Sequence, residues 1–165
     1  MTPADEYSAD AAYLERCVEL AEVALEAGDD PFGSVLVSRG GTVLAEDRNR
    51  ETTAADPTAH PELALARWAA QHVPPSERAG ATVYTSGEHC PMCAAAHGWV
   101  GLGRIVYAVS STQLAAWRAE WGFPASRVRV LSINDVVPGL EVVGPVPPYD
   151  RRMRAIHERA VRSRA

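Results

Sequence analysis

Two short motifs carry the residue types that bind a transition metal. Cys90 and Cys93 form a Cys-x-x-Cys motif, His60 stands thirty residues before it, and Glu62 follows that histidine by two positions. One imidazole and two thiolates give a zinc ion three protein ligands and leave its fourth position open to water, as in catalytic sites. A carboxylate beside that water is placed to move protons. The two motifs together therefore predict a catalytic zinc centre.

Three other interpretations of these residues stay open at this level. A Cys-x-x-Cys pair also serves redox chemistry, although this leaves His60 and Glu62 without a role. A structural zinc requires a fourth protein ligand, for which only His89 lies nearby, and its position beside Cys90 makes joint ligation strained. Glu62 considered alone is typical of an exposed first helical turn, where a negative charge is favourable.

Hydrophobic periodicity sets these motifs in a chain of alternating helices and strands. Apolar residues at three- and four-residue spacing predict helices, and short apolar runs between turn residues predict strands. A hairpin turn is predicted at residues 39–41, with the sequence Arg-Gly-Gly. The predicted helices span residues 7–27, 60–72, 91–100, 112–121 and 149–163, and the predicted strands span residues 33–38, 42–46, 81–85, 104–109 and 128–133.

This order of elements predicts a three-layer α/β/α fold with a five-stranded mixed sheet. The hairpin makes the first two strands antiparallel, and the later strand–helix–strand units are expected to be parallel with right-handed crossovers. Both metal-binding motifs then lie at helix amino termini, where the partial positive charge favours thiolates. Because the sequence contains neither a repeat nor a long linker, we expect residues 1–165 to form a single domain.

The composition is that of an ordinary globular protein. The chain has 165 residues, of which 47% are hydrophobic and 22% charged, and its formal net charge is −5. No apolar run approaches the roughly 18 residues of a membrane span, and residues 1–10 lack the features of a signal peptide, so we expect a cytoplasmic location without membrane attachment. A negatively charged chain is a poor partner for nucleic acid. The arginines within residues 151–164 favour a solvated helix face over a nucleic-acid patch.

Several longer stretches make the chain resemble the cytidine deaminase-like superfamily, in its branch of guanine, cytosine and tRNA adenosine deaminases. A His-x-Glu motif followed by Cys-x-x-Cys is typical of the zinc nucleobase deaminases. The resemblance runs from about residue 7 to residue 108 and fades beyond Trp117. It rests on residues 30–37 (DPFGSVLV), 49–50 (NR), 56–62 (DPTAHPE), 84–86 (YTS), 90–93 (CPMC) and 105–108 (IVYA).

The resemblance implies roles for the candidate site residues. His60, Cys90 and Cys93 would bind Zn²⁺, and Glu62 would move protons between water and substrate. Asn49 matches an asparagine that holds the edge of the base, since one amide offers both a donor and an acceptor. Relatives in this branch are usually dimers, so the resemblance also implies a homodimer.

Three aromatic residues have two interpretations each. Phe32 either lines the substrate pocket or packs beneath the hairpin, and the tRNA enzymes usually carry valine at its position. Trp117 and Trp121, at helical spacing, either stack on a flat base or belong to the core.

Other positions depart from the pattern of the family. Pro61 replaces the usual alanine and has no N–H, so a base contact made by that amide in relatives is lost here. His89 stands where proline is usual, and a solvent-exposed or capping role is favoured over one in the pocket. Guanine deaminases of this branch often carry a second acid shortly after the strand at 104–109; here residues 110–113 read SSTQ, and Glu120 is the nearest carboxylate.

The expected activity is zinc-dependent hydrolytic deamination of a small-molecule nucleobase or related heterocycle, of the guanine, cytosine or amino-triazine type, with release of ammonia. The alternative enzyme is a tRNA-specific adenosine (A-to-I) deaminase, to which the arginine-rich C terminus points. An alternative of another class is a non-catalytic binding protein of this fold with a structural zinc, suggested by Pro61 and by residues 87–89. The intact Glu62 argues against it, because a structural site has no use for that carboxylate.

Overall fold

The structure, a computed structural model, describes residues 3–164 and the side chains from residue 10 onward. Within this range the chain alternates between helices and strands, as the periodicity predicts. The helices are α1 (Pro3–Glu26), α2 (Pro61–His72), α3 (Pro75–Arg78), α4 (Pro91–Val100), α5 (Ser111–Glu120), α6 (Ile133–Val136) and α7 (Tyr149–Ser163). The strands are β1 (Gly33–Val37), β2 (Val43–Arg48), β3 (Thr82–Gly87), β4 (Ile105–Val109) and β5 (Val142–Val143).

The strands form one mixed sheet in the order β2-β1-β3-β4-β5. Strand β1 pairs antiparallel with both β2 and β3, whereas β3, β4 and β5 are parallel to one another. The predicted five-stranded mixed sheet is therefore confirmed.

Two apolar clusters cover the two faces of the sheet, because side chains alternate between faces along each strand. In β1, Val35 and Val37 belong to one cluster, which includes Leu14 of α1 and Met153 of α7. Leu36, between those valines, belongs to the other cluster, with residues of α2 and α4. A helix layer on each face makes the three-layer α/β/α arrangement that the sequence predicts.

The predicted strand at residues 128–133 is wrong. Residues 128–132 contain neither helix nor strand, and the fifth strand is Val142–Val143. A capping box of Ser132 and Asp135 starts helix α6 at Ile133 instead. The Glu88 carboxylate adds a further constraint, since it accepts the Ile133 N–H at 3.0 Å. Val128 and Val130 are 56% and 42% exposed, so an alternating pattern over so few residues was not a sign of burial.

One edge of the sheet collects the segments that carry the candidate residues. Because β1 runs against its neighbours, its first residue, Gly33, lies opposite Arg48 at the end of β2, and Ser34 lies opposite Thr85 of β3. Helix α1 packs so closely here that a Cβ on Gly33 would lie 2.4 Å from that of Leu20. The start of β1 and the ends of β2 and β3 thus meet at this edge.

Candidate metal and catalytic site

The two metal-binding motifs open the neighbouring helices α2 and α4. His60 is the N-cap of α2 and Cys90 the N-cap of α4, each with extended backbone angles, and each is followed by a proline at the first helical position. Proline is well suited to that position, where a backbone N–H has no partner within the helix. Cys93 lies one turn into α4 and is buried. The caps of two packed helices thereby bring the three side chains together.

The distances within this group fit a tetrahedral zinc ion. The Nδ1 atom of His60 lies 3.5 Å from Cys90 Sγ and 3.6 Å from Cys93 Sγ, and the three ligand atoms lie within 4.8 Å of one another. A zinc ion with Zn–S bonds of about 2.3 Å and Zn–N bonds of about 2.0–2.1 Å separates sulfur from nitrogen by about 3.6 Å. His89 is absent from this group, which leaves three protein ligands among the described residues.

The electrostatics of the group favour a thiolate. A hydrogen bond from the Cys93 thiol, together with one from His60, lowers the pKa of Cys90 to about 4. The same contact, together with burial, raises the pKa of Cys93. Hydrogen bonds to Cys90 and Glu51 raise the pKa of His60 to about 10. Metal binding must therefore displace protons from this site.

The Glu62 carboxylate is buried beside this group, so the interpretation as an ordinary surface glutamate is wrong. Its side chain belongs to the first turn of α2 and is only 6% exposed. The Thr85 hydroxyl donates to Oε1 at 2.7 Å and the Ser34 hydroxyl lies 3.1 Å from the same oxygen. Burial raises the pKa of Glu62. A carboxylate held in this way is suited to accept and release a proton.

Sequence reasoning missed Ser34 and Thr85, although a signal was present. Ser34 lies in a strand that is otherwise apolar, and both hydroxyls are fully buried. A buried hydroxyl requires a hydrogen-bond partner, and here that partner is the carboxylate.

Asn49 lies at the end of β2, where its backbone N–H donates to the Phe32 carbonyl at 2.9 Å. Its side chain is 1% exposed. The side-chain amide donates to Glu51 Oε2 at 2.7 Å and accepts the Glu51 N–H at 2.9 Å. An amide has two donor hydrogens and two acceptor lone pairs, so one of each is left for a substrate.

Glu51 is a carboxylate at the site that the sequence did not single out. Its Oε1 atom lies 3.7 Å from His60 Nε2, on the side of the ring opposite the two sulfurs. Burial raises the pKa of Glu51, but the ion pair with His60 and the hydrogen bond from Asn49 outweigh it and lower the pKa overall. Glu120, which the sequence offered as a second acid, lies exposed on α5 and pairs with Arg154. That expectation for Glu120 is not supported.

Phe32 packs between the end of β3 and the C-terminal helix. A Cβ on Gly87 would lie 3.0 Å from Phe32 Cε1, so the ring fills the space that the glycine leaves. On its other side the ring meets His157 edge-on, with ring centroids 5.0 Å apart. Phe32 also lines a small cleft, whose wall includes Arg118, Trp121, Phe123, His157 and Arg164.

The two tryptophans of α5 have different environments. Trp117 is 8% exposed and belongs to the apolar cluster with Met153, as core packing predicts. Trp121 is partly exposed and lines the cleft beside Phe32. Only Trp121 therefore has the exposure to contact a ligand.

His89 occupies neither of the positions that the sequence favoured. It is 1% exposed, neither ring nitrogen has a hydrogen-bond partner among the described residues, and its ring packs edge-on against His97 at 5.3 Å. The expected solvent-exposed or capping role is wrong, because the side chain is buried against His97 of α4 and caps no backbone group among the described residues.

Comparison with known proteins agrees with this geometry. Residues 7–109 match the family described as "Cytidine and deoxycytidylate deaminase zinc-binding region". The chain belongs to this family. Guanine deaminase of Bacillus subtilis is 38% identical over 115 residues, which are 69% of this chain and 70% of that protein. The tRNA-specific adenosine deaminase of Haemophilus influenzae is 30% identical over 114 residues, 69% of this chain and 66% of that protein.

A solved structure extends the likeness of fold to the C-terminal part. The structure of guanine deaminase from Nitrosomonas europaea covers 92% of this chain and 84% of its own, with a TM-score of 0.73 and 19% identity. At that identity the likeness concerns the fold alone.

Family and site together identify a hydrolytic deaminase whose metal is zinc. Among the helices in residues 3–164, none combines the length and the apolar character that crossing a membrane requires.

Proposed function

We propose that this protein deaminates a free nucleobase or a closely related heterocycle, of the guanine, cytosine or amino-triazine type. The observation that carries the proposal is the buried Glu62 carboxylate, anchored by two hydroxyls beside the His60, Cys90 and Cys93 donor set. The similarity to the Bacillus guanine deaminase supports guanine as the first base to test.

His60, Cys90 and Cys93 hold the zinc ion, which when bound makes a water molecule nucleophilic at neutral pH. Glu62 would take a proton from the attacking water, whose oxygen bonds to the carbon that bears the exocyclic amine. The same carboxyl would deliver this proton to a ring nitrogen, then take a second proton from the hydroxyl added to the carbon and pass it to the departing amine. The carbon–nitrogen bond breaks, and the products are the oxo base and ammonia. Thr85 and Ser34 keep the carboxyl aimed throughout these transfers.

The surroundings of the site support a small, flat substrate. In this proposal a flat base stacks on Phe32 and the partly exposed Trp121, which line one small cleft. Asn49 keeps a free donor and a free acceptor for the edge of a base. Burial lowers the pKa of His157 to about 4, so this ring is uncharged at neutral pH, and the charges of the cleft wall are those of Asp30, Arg118 and Arg164.

The first experiment is a substrate panel. Ammonia release is measured from zinc-loaded enzyme with guanine, cytosine, adenine, amino-triazines and the corresponding nucleosides, with Glu62→Ala as the blank. Turnover of at least one free base, absent from the blank, is expected. Turnover of nucleosides alone, or of nothing in the panel by fully zinc-loaded enzyme, would contradict a free-base substrate.

Deamination of adenosine in tRNA is the second candidate, because the Haemophilus relative is named for it. The charges of α7 argue against it. Salt bridges within the chain engage five of the six arginines in residues 151–164: Arg152, Arg154, Arg159, Arg162 and Arg164 pair with Glu15, Glu120, Glu22, Glu158 and Asp30. Retention of tRNA at physiological salt, followed by inosine formation, would favour this candidate.

We further propose that the protein is a homodimer that pairs through α4. The sequence of this helix, PMCAAAHGWV, has no charged residue, and its Trp99 is 91% exposed. A helix that is apolar all round is normally buried on every side. A second copy of the chain would supply the missing cover, close to the site that the same helix opens.

A further inference from the structure

We propose that Glu51 is a positioning residue that holds both the zinc ligand His60 and the base-binding Asn49 in fixed orientations. Its carboxylate contacts both: Oε1 lies 3.7 Å from His60 Nε2, and Oε2 accepts a hydrogen bond of 2.7 Å from the Asn49 amide. The proposal rests on the proposed function only for the identity of the metal and for the role of Asn49.

The orientation of the His60 ring leaves a definite task for a carboxylate. Nδ1 faces the two cysteine sulfurs, at 3.5 and 3.6 Å, so Nε2 is the nitrogen that keeps its hydrogen when the metal is bound. An acceptor at that hydrogen fixes the tautomer and the angle of the ring and increases the basicity of the ligating nitrogen. Among the described residues, Glu51 is the acidic side chain paired with His60 at this position.

The contact with Asn49 is made twice, once by side chain and once by backbone. Besides accepting the Asn49 amide hydrogen, Glu51 donates its own N–H to Asn49 Oδ1 at 2.9 Å. The two bonds fix which way the amide faces, and therefore which of its groups remain for a substrate. Any rotation of the Glu51 side chain disturbs the metal ligand and the asparagine together.

The loop that carries Glu51 is anchored independently of the metal. Asp29, fully buried, accepts the backbone N–H groups of Thr52 and Thr53 and the Thr53 hydroxyl, at 2.8–2.9 Å. Arg48 forms a salt bridge with Asp29, with 2.7 Å between Nη1 and Oδ2. The Glu51 carbonyl also accepts the Asp56 N–H, at 3.0 Å. The carboxylate is therefore held in place before zinc or substrate binds.

The opposing interpretation is that Glu51 is one more surface carboxylate, since its side chain is 27% exposed. Ion pairs at that exposure contribute little to stability. The two interpretations differ in what they predict for metal affinity, which a mere surface pair does not affect.

The test is the zinc dissociation constant of Glu51→Gln, measured by competition with a chromogenic chelator. We expect zinc to bind about 10- to 100-fold more weakly than to the unchanged protein, the range typical of losing such a partner of a metal ligand. The control is Glu46→Gln, which removes an exposed carboxylate paired with Arg16 away from the site; its zinc affinity should stay within twofold of the original. A Glu51→Gln affinity within the same twofold margin would overturn the proposal.

A spectroscopic measurement covers the case in which Glu51→Gln folds poorly. Glu51→Asp retains the charge on a shorter side chain, and the cobalt-substituted forms report ligand geometry through their visible absorption bands. A shifted band in Glu51→Asp, with an unchanged band in Glu46→Gln, is expected; identical bands in all three proteins would count against Glu51. Neither measurement requires a substrate, so a failure of the proposed function leaves both results interpretable.

Discussion

At the scale of single residues, Pro61 lies between His60 and Glu62 of the metal site and has no backbone N–H. It is buried and occupies the first position of α2. The backbone at that position therefore cannot donate a hydrogen bond to a substrate, and under the proposed function Asn49 would be the donor for the edge of the base.

The first prediction concerns Pro61→Ala, which restores an N–H at this position. We expect the ranking of kcat/KM among guanine, cytosine and amino-triazines to change, because a new donor faces the site. The free energy of unfolding should fall by no more than about 1 kcal/mol, because the unfolded chain gains conformational entropy when a proline is replaced. Steady-state kinetics on the substrate panel is the measurement. An unchanged ranking would mean that the amide at this position does not meet the substrate.

The second prediction concerns the pH dependence of folding, through His157. Its pKa is about 4 in the folded protein because of burial, against about 6.5 in an unfolded chain. Below pH 6.5 the unfolded state binds a proton that the folded state does not, so stability falls as the pH falls from 6.5 toward 4. The loss reaches about 1.4 kcal/mol at pH 5.5 and about 3 kcal/mol near pH 4.

Urea unfolding of the unchanged protein and of His157→Gln at pH 7 and pH 5.5 isolates this contribution. Carboxylates titrate over part of the same range in both proteins, so the difference between their losses belongs to the histidine. We expect the variant to lose about 1.4 kcal/mol less on acidification. Equal losses would show that His157 is not buried as a neutral ring.

At the scale of elements, the end of β3 packs against the residue before β1, because the Phe32 ring fills the space left by the missing side chain of Gly87. A Cβ on Gly87 would lie 3.0 and 3.2 Å from two atoms of Phe32. This fit sets the position of the ring, which in turn lines the small cleft with Trp121 and His157.

The third prediction is that Gly87→Ala destabilises the protein by about 1–3 kcal/mol, as overpacking usually does. The same variant should bind substrate more weakly, because the Phe32 ring has to move. Combining it with Phe32→Leu removes the crowding, so the double variant should recover most of the lost stability. Thermal unfolding of the three variants tests this. Strictly additive effects of the two substitutions would contradict the packing described here.

The elements also show what a sequence can reveal about this fold. Helices α2 and α4 were predictable because each begins with a proline just after a metal ligand, and β1, β3 and β4 because they are short apolar runs. The valines of residues 128–133 predicted a strand. Instead, the Ser132 cap and the hydrogen bond from the Ile133 N–H to Glu88 favour a helix that begins at Ile133. A contact over 45 residues leaves no local pattern.

The same limit applies to the site. The metal ligands and Glu62 form compact motifs with recognisable spacing, whereas Ser34, Thr85 and Glu51 come to the site through the pairing of β1 with β3 and the path of a loop. Glu120 was a candidate second acid only because it is the nearest carboxylate along the chain after β4. In the structure it pairs with Arg154 on the surface. That residues 1–165 form a single domain stays a prediction.

At the scale of the whole molecule, the fourth prediction is that Trp99 holds two subunits together. Sedimentation velocity at micromolar concentration should give a dimer for the unchanged protein and a monomer for Trp99→Ser, because burial of a tryptophan dominates a small interface. Val23→Ser, at a 47% exposed apolar residue of α1, is the matched control and should remain dimeric. A monomeric unchanged protein, or a dimeric Trp99→Ser, would contradict pairing through α4.

The central claim, that the buried Glu62 carboxyl moves protons at a zinc centre, is tested most directly by Glu62→Gln. The measurement is the rate of ammonia release from the free base that the unchanged enzyme turns over, with bound zinc determined on the same samples. We predict full zinc occupancy and a kcat reduced by at least about 100-fold, since general acid–base groups typically contribute 100- to 10,000-fold. A fully zinc-loaded Glu62→Gln variant with a kcat within a few-fold of the original would contradict the account.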